Sequence, residues 1–147
     1  MSKKKQVKPV SAKAKRQVQM PNIITGKPHF RFEMVDRDGK FKFRLDRKDF
    51  LHRLVFEKIM EYSCMMWSEI ERQTHDGGKS KHHFLENTDK LSKEAKERIK
   101  KLKIEDLTDS IFSFALRNKI RIIGIRQGDY FFVLWYDPEH EVYPVKR

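Results

Sequence analysis

The segment I-R-I-I-G-I-R-Q-G-D-Y-F-F-V-L-W-Y-D-P-E-H-E-V-Y, residues 120–143, decides the fold of this chain. It predicts a β-hairpin, because two runs rich in β-branched and aromatic residues, 120–126 and 130–136, flank a turn at Gln127-Gly128. Both runs are apolar at successive positions, so each strand should be covered on both faces. The hairpin then leads into a polar tail that carries histidine and tyrosine.

The register of this hairpin assigns different roles to its two arginines. A turn at Gln127-Gly128 places Arg126 opposite Asp129, which predicts a surface ion pair. By strand parity Arg121 lies on the other face, beside the core, and faces Leu134. A charge there needs a partner or a groove, so Arg121 is the better functional candidate.

Upstream, the alternating stretches F-R-F-E-M-V and F-K-F-R-L, on either side of Asp38-Gly39, predict a first hairpin over residues 29–45. Apolar spacing and capping residues predict helices over residues 46–62, 68–74 and 92–103. A further apolar run predicts a strand over residues 110–116. This order predicts an α+β fold with a mostly antiparallel sheet and helices packed on one face.

The net charge of +12 is concentrated near the N-terminus. Residues 1–27 contain eight Lys or Arg residues and no acid. We therefore predict a disordered basic arm over residues 1–28 and a single α+β domain over residues 29–147. The charge favours an anionic partner such as nucleic acid, and the alternative interpretation is a solubilising tail.

A single cysteine, Cys64, excludes an intrachain disulfide, and its apolar neighbours predict a buried thiol. The sequence has no run of 18 apolar residues, so it predicts no membrane span. The basic N-terminus is not followed by the apolar stretch of a secretory signal. The sequence thus predicts a cytoplasmic protein without a membrane partner.

Several basic and aromatic residues are candidates for contact with phosphates or bases. In H-D-G-G-K-S-K-H-H, residues 75–83, glycines allow a close approach of the backbone to an anion, whereas the histidines are an alternative metal site. The helix over residues 92–103 carries a lysine row that can follow a phosphate backbone. The predicted nucleic-acid-binding residues are Lys79, Lys81, His82, His83, Lys93, Lys96, Lys100, Arg126 and Tyr136.

The tail D-P-E-H-E-V-Y supplies candidates for acid–base chemistry. Asp137-Pro138 favours a turn that presents His140, and histidine exchanges protons near neutral pH. Tyr143 is placed to stack a base or orient a phosphate. The alternative interpretation is that Tyr143 packs on the sheet and His140 is ordinary surface.

The segment 120–143 resembles the end of RelE/ParE-like toxins of bacterial toxin–antitoxin systems, in which an Arg-bearing strand, a tight turn, an apolar strand and a terminal His or Tyr recur. The resemblance implies a small cytoplasmic toxin that cleaves mRNA in the ribosome or binds gyrase, and that a cognate antitoxin neutralises. It also implies a metal-independent reaction with no cofactor, in which Arg121 holds phosphate and His140 or Tyr143 serves as base or orienter. The loop 75–83 and the lysine arm have no counterpart in that pattern.

Three hypotheses follow from the sequence. The leading one is a metal-independent endoribonuclease associated with the ribosome. The second is a non-catalytic module that binds nucleic acid or a protein such as gyrase, and the third is a metal-dependent hydrolase that uses the histidine cluster.

Overall fold

The computed structural model describes residues 25–75 and 77–144. Its elements are β1 (His29–Arg31), α1 (His52–Ser63), α2 (Trp67–Glu71), β2 (His83–Phe84), α3 (Lys93–Leu102), β3 (Ile111–Arg117), β4 (Ile120–Gln127) and β5 (Tyr130–Asp137). Short 3₁₀ helices span Thr88–Lys90 and Glu105–Ser110. The strands form one sheet in the order β1-β5-β4-β3-β2, in which only the β1–β5 pair is parallel. The prediction of an α+β fold with a mostly antiparallel sheet is confirmed.

Helices cover both faces of the sheet, so the prediction of helices on one face is wrong. On one face α1 and α2 bury Val55 and Ile70 in a core with Phe114 of β3. On the other face α3 buries Ala95 and Ile99 in a second core with strands β4 and β5. The physical reason is that the central strands are apolar on both faces, and a helix layer on one face would leave the other in water.

The turn between β4 and β5 lies one residue later than predicted. Gln127 pairs with Tyr130, so the turn residues are Gly128 and Asp129, and Gly128 supplies the positive φ of 61°. A β-bulge in β5 then brings Asp137, rather than Leu134, opposite Arg121. The predicted register is therefore wrong at both arginines.

The predicted first hairpin is also wrong. After β1 the chain continues along the open edge of β5, where the N–H of Asp36 donates to Leu134 O (3.0 Å) and Phe41 O accepts from the N–H of Tyr136 (2.9 Å). The buried Asp36 interrupts the alternating pattern, because its carboxylate accepts from Trp135 Nε1 (2.9 Å) and forms two hydrogen bonds with Arg98. The segment thus closes a sheet edge instead of forming its own hairpin.

The predicted basic arm falls mostly on residues 1–24, which lie outside the described residues. Its last four residues belong to the folded part. The N–H groups of Thr25 and Gly26 donate to Asp129 Oδ2 at 2.7 and 2.9 Å, and Gly26 O accepts from the N–H of Trp67 at 2.6 Å. Thr25 and Gly26, which belong to the predicted arm, are therefore attached to the folded part.

The helix ends follow local capping chemistry to different degrees. Ser92 begins α3 as predicted, since its Oγ accepts from the N–H of Ala95 (3.2 Å). The first helix begins later than predicted because Asp49 forms an ion pair with Arg47 instead of capping it. Cys64, directly after α1, is exposed, so the prediction of a buried thiol is wrong.

Candidate nucleic-acid interface

The end of the sheet that holds the C-terminus of β3, the N-terminus of β4 and the C-terminus of β5 gathers charged side chains. Antiparallel pairing places Ala115, Arg121 and Asp137 side by side on the three strands. Arg117 ends β3, and His140 follows β5 by three residues. We call Arg117, Arg121, Asp137 and His140 the basic end.

Arg121 is a buried cation at this end, with 8% of its surface exposed. Its Nη1 donates to Asn118 O (2.6 Å) and to Ile120 O (3.0 Å). Burial lowers the pKa of its guanidinium, and the charge of Asp137 opposes that shift. No carboxylate among the described residues forms an ion pair with Arg121.

The turn after β5 is closed by the buried carboxylate of Asp137. This carboxylate accepts from the N–H groups of Glu141 (2.9 Å) and Val142 (2.8 Å). Burial raises the pKa of Asp137, and the two hydrogen bonds and the charge of His140 oppose the increase. The closed turn places His140 at its tip with a left-handed φ of 60°.

His140 is half-buried, and burial lowers the pKa of its imidazole, with a further contribution from the charge of Arg121. The imidazole is thus mainly neutral at pH 7 and able to accept a proton. The charge of Arg121 therefore acts on the imidazole of His140.

Tyr143 lies apart from this pair. Its hydroxyl accepts from the N–H of Asn87 (3.3 Å), and its ring packs against the core that holds α3. The neighbouring Val142 O accepts from the N–H of Ser92 (2.8 Å), so the tail is attached to the start of α3. No hydrogen bond joins Tyr143 to Arg121 or His140 in the part of the chain that the structure describes.

His82 is a structural residue, and its prediction as a nucleic-acid contact is wrong. The side chain is buried, and both ring nitrogens are bonded: Nδ1 accepts from the N–H of Ala115 (3.0 Å), and Nε2 donates to Gln73 Oε1 (2.8 Å). Because β2 has only two residues, the imidazole supplies the acceptor that a longer strand would offer to β3. Burial, and then the charges of Lys81 and Arg121, lower the pKa of His82 to about 3.

Tyr136 is likewise held inside the fold, so its predicted nucleic-acid contact is wrong, whereas Arg126 is partly exposed and has partners within the fold. Tyr136 is fully buried, and its hydroxyl donates to Asp49 O (2.7 Å) and accepts from the N–H of Leu51 (3.2 Å). Arg126 forms an ion pair with Glu71 (2.7 Å), not the predicted pair with Asp129. Its guanidinium also lies 3.7 Å from the ring centroid of Trp67.

The lysine candidates remain accessible. Lys93, Lys96 and Lys100 lie on one exposed face of α3, where together with Glu97 they line a depression of about 300 Å³. Lys79 and His83 are exposed and Lys81 is half-buried. These residues therefore stay available for phosphate contacts.

The sequence interpretation missed two groups of basic residues. Lys42 and Lys48 line a shallow concavity of about 720 Å³ over residues 39–49, a range that falls across the predicted first hairpin and the start of the predicted first helix. Arg117 was also missed, although a charged residue that ends an apolar strand beside the Asn118-Lys119 turn is a visible signal.

Within residues 25–75 and 77–144, no group of three or more His, Cys, Asp or Glu side chains is arranged to hold a metal ion. The histidines of the loop 75–83 are not brought together, since His82 is buried and His83 is exposed. In the same residues no helix combines the length and the apolar character that crossing a membrane requires.

The fold and the site define an α+β protein with cationic groups at one end of its sheet. The chain belongs to the family described as uncharacterised protein UU032, whose model matches residues 40–147. No curated protein and no solved structure matches the chain. The matched range contains β2 to β5 and all three α-helices, whereas β1 precedes it.

Proposed function

We propose that the protein binds RNA and cleaves it without a metal ion, as expected of a RelE/ParE-like toxin associated with the ribosome. The observation that carries this proposal is the half-buried His140, whose pKa is lowered by burial and by the charge of Arg121. A neutral imidazole beside a fixed cation suits general-base chemistry on a phosphodiester.

In the proposed reaction His140 accepts the proton of a ribose 2′-hydroxyl, and the 2′-oxygen attacks the adjacent phosphorus. The bond from phosphorus to the 5′-oxygen of the next nucleotide breaks, and that oxygen takes a proton from water. The products are a 2′,3′-cyclic phosphate and a 5′-hydroxyl end. Arg121 stabilises the charge that develops on the phosphoryl oxygens.

The accessible lysines of α3 and of the loop 75–83 hold the RNA chain through its phosphates. Such contacts release counterions, so the affinity should fall steeply with salt. The expected partners are RNA on the ribosome and a cognate antitoxin, and the expected compartment is the cytoplasm.

The test is a cleavage assay with purified protein, labelled single-stranded RNA and EDTA. His140→Ala should abolish the new 5′-hydroxyl ends and leave RNA affinity unchanged. A variant with Lys93→Gln, Lys96→Gln and Lys100→Gln should bind RNA more weakly and reduce the salt dependence by about two counterions. Unchanged cleavage by His140→Ala, or cleavage that EDTA abolishes, would reject the reaction.

A non-catalytic binding module is the second candidate, because two of the three predicted catalytic groups already have hydrogen bonds within the fold. The guanidinium of Arg121 donates to Asn118 O and Ile120 O, and the Tyr143 hydroxyl accepts from Asn87. Such a module would bind RNA, DNA or a protein such as gyrase. If alanine at Arg121, His140 and Tyr143 leaves both binding and the cellular phenotype intact, this candidate is favoured.

A further inference from the structure

A pocket of about 400 Å³ lies beside the basic end, between α1, the loop that follows α2, and the end of β3. Its basic lining residues are Lys58, His75, Lys81 and Arg117, and its carboxylate is Glu61. Glu61 forms an ion pair with Lys58 (3.4 Å). In the described residues neither Lys81 nor Arg117 forms an ion pair, so their charges are left for a ligand.

The wall that carries Lys81 is built rigidly. Thr74 and Ser80 form a β-bridge across the loop, and the N–H of Lys81 donates to Gln73 O (3.0 Å). The Gln73 side chain, which also lines the pocket, accepts from His82 at Oε1 (2.8 Å). This assignment leaves the amide nitrogen of Gln73 as a donor beside the lysine.

The opposite wall is formed by α1 and β3. The hydroxyl of Tyr62 donates to Ala115 O (2.6 Å) and closes the inner side of the pocket. The potential in this region is positive. The charges of Lys81, Arg121 and His75 contribute to the lowered pKa of His82, and the charge of Arg121 opposes the raised pKa of Tyr62.

We propose that this pocket binds a phosphomonoester, with Lys81 and Arg117 as ligands of its oxygens and Gln73 as a neutral donor. A monoester carries between about 1.5 and 2 negative charges at pH 7, whereas an internal phosphodiester carries one. Two unpaired cations in one small pocket therefore favour the monoester. The site requires no cleavage chemistry, and it goes beyond the proposed ribonuclease. The phosphomonoester belongs either to a nucleoside monophosphate or to the phosphorylated end of an RNA.

The experiment is isothermal titration calorimetry of the full chain with inorganic phosphate, adenosine 5′-monophosphate and adenosine. Phosphate and the monophosphate should bind and adenosine should not. The double variant Lys81→Gln, Arg117→Gln should weaken binding of the monophosphate about tenfold or more. The matched control, Lys90→Gln with Lys101→Gln at two exposed positions outside the pocket, should leave it unchanged. Thermal unfolding of both double variants checks that each folds.

Absence of binding by phosphate and by the monophosphate, or an equal loss in the control variant, would overturn the proposal. A second arm distinguishes the ligand sources by comparing RNA with a 5′-phosphate and RNA with a 5′-hydroxyl. If the phosphorylated RNA binds more tightly than the hydroxyl-ended RNA, and the pocket variant loses this difference, the site binds RNA ends. Equal affinity for the two RNAs, with binding of the monophosphate intact, assigns it to a free nucleotide. Failure of the ribonuclease proposal would leave these titrations unaffected.

Discussion

The two ends of β4 carry one arginine each, and the fold treats them differently. Arg126 forms an ion pair with Glu71 and stacks on Trp67. At the other end the guanidinium of Arg121 is bonded to backbone carbonyl groups, and burial lowers its pKa. One arginine therefore joins a helix to the sheet, whereas the other keeps a positive charge that no carboxylate within residues 25–75 and 77–144 pairs.

The difference extends beyond the arginines. At the Arg126 end, Asp129 binds the N–H groups of Thr25 and Gly26, and these contacts attach the start of the described chain to the sheet. At the basic end, the one buried carboxylate among the named residues, Asp137, is bonded to the backbone of its own turn. A cation such as Arg121, which has no ion pair among the described residues, is less favourable for folding and more useful for binding an anion.

Among the substitutions measured at neutral pH, Gly124→Ala should have the largest effect on stability, because Gly124 lies on β4 between the two ends. An added Cβ would overlap Phe132 O and lie 2.8 Å from Phe131 Cζ. We expect the free energy of unfolding to fall by about 3 kcal/mol, measured by urea denaturation. Gly128→Ala is the control, since its Cβ meets no atom within 4 Å and its positive φ alone should cost about 1 kcal/mol. Equal losses would contradict a tight packing of the strand centre.

Acid should destabilise the fold through His82 near the basic end. In the folded chain its pKa is lowered to about 3, so this contribution to stability is complete above about pH 6.5 and is lost as the pH falls toward 3. The loss at the bottom of that range is on the order of 4 kcal/mol. Asp137 acts in the opposite direction. Because its pKa is raised, the folded chain binds this proton at a higher pH than the unfolded chain, which stabilises the fold as the pH falls.

The measurement is urea unfolding of the wild-type protein and of His82→Gln between pH 7 and pH 4. The difference between the two isolates the imidazole from Asp137 and from the other carboxylates. The stability of the glutamine variant should depend less on pH. Parallel pH profiles would show that His82 is not buried in its neutral form.

Arg126→Ala should have an intermediate effect on stability. The change removes the ion pair with Glu71 and the stacking on Trp67, which together should lower the free energy of unfolding by about 1.5 kcal/mol. Arg126→Lys should recover part of the loss, because it keeps the charge but not the planar stacking. RNA affinity, measured by fluorescence anisotropy, should stay unchanged, and a loss of affinity would remove the contrast between the two ends.

Arg121→Met should have the smallest effect on stability. Replacement of a buried charge by an apolar side chain of similar length is expected to change the free energy of unfolding by less than about 1 kcal/mol. RNA affinity should fall about tenfold, since a phosphate contact is lost. A loss of stability as large as that of Arg126→Ala, with RNA affinity intact, would make Arg121 a structural residue.

Local chemistry made part of the fold predictable. Strands β3, β4 and β5, the amphipathic α3 and its Ser92 cap follow from apolar spacing and capping residues. The register was not predictable, because Gly128 can occupy more than one position of a tight turn and the β-bulge depends on packing between the strands. The prediction that the helices pack on one face was wrong, although the apolar residues on both faces of β4 and β5 already indicated that both faces are covered.

The candidate site was predictable only as a set of residue types. Sequence reasoning selected Arg121 and His140. In the fold Asp137 lies opposite Arg121 in the sheet and closes the turn that carries His140. Sequence reasoning also selected His82 and Tyr136, whose polar atoms the interior uses for its own hydrogen bonds. A histidine or tyrosine side chain can serve either as a structural hydrogen-bonding group or as a binding residue. Its burial and its hydrogen-bond partners decide which of the two roles it has.

By itself the sequence determined a basic α+β chain with an apolar C-terminal hairpin, because charge content and apolar periodicity are properties of neighbouring residues. Only the tertiary structure decided which cations remain unpaired, because an ion pair such as Arg126 with Glu71 joins residues far apart in the chain. The same holds for the pocket that contains Lys81 and Arg117, whose walls come from three separate segments. Long-range pairing depends on the packing of the whole domain, and local patterns do not encode it.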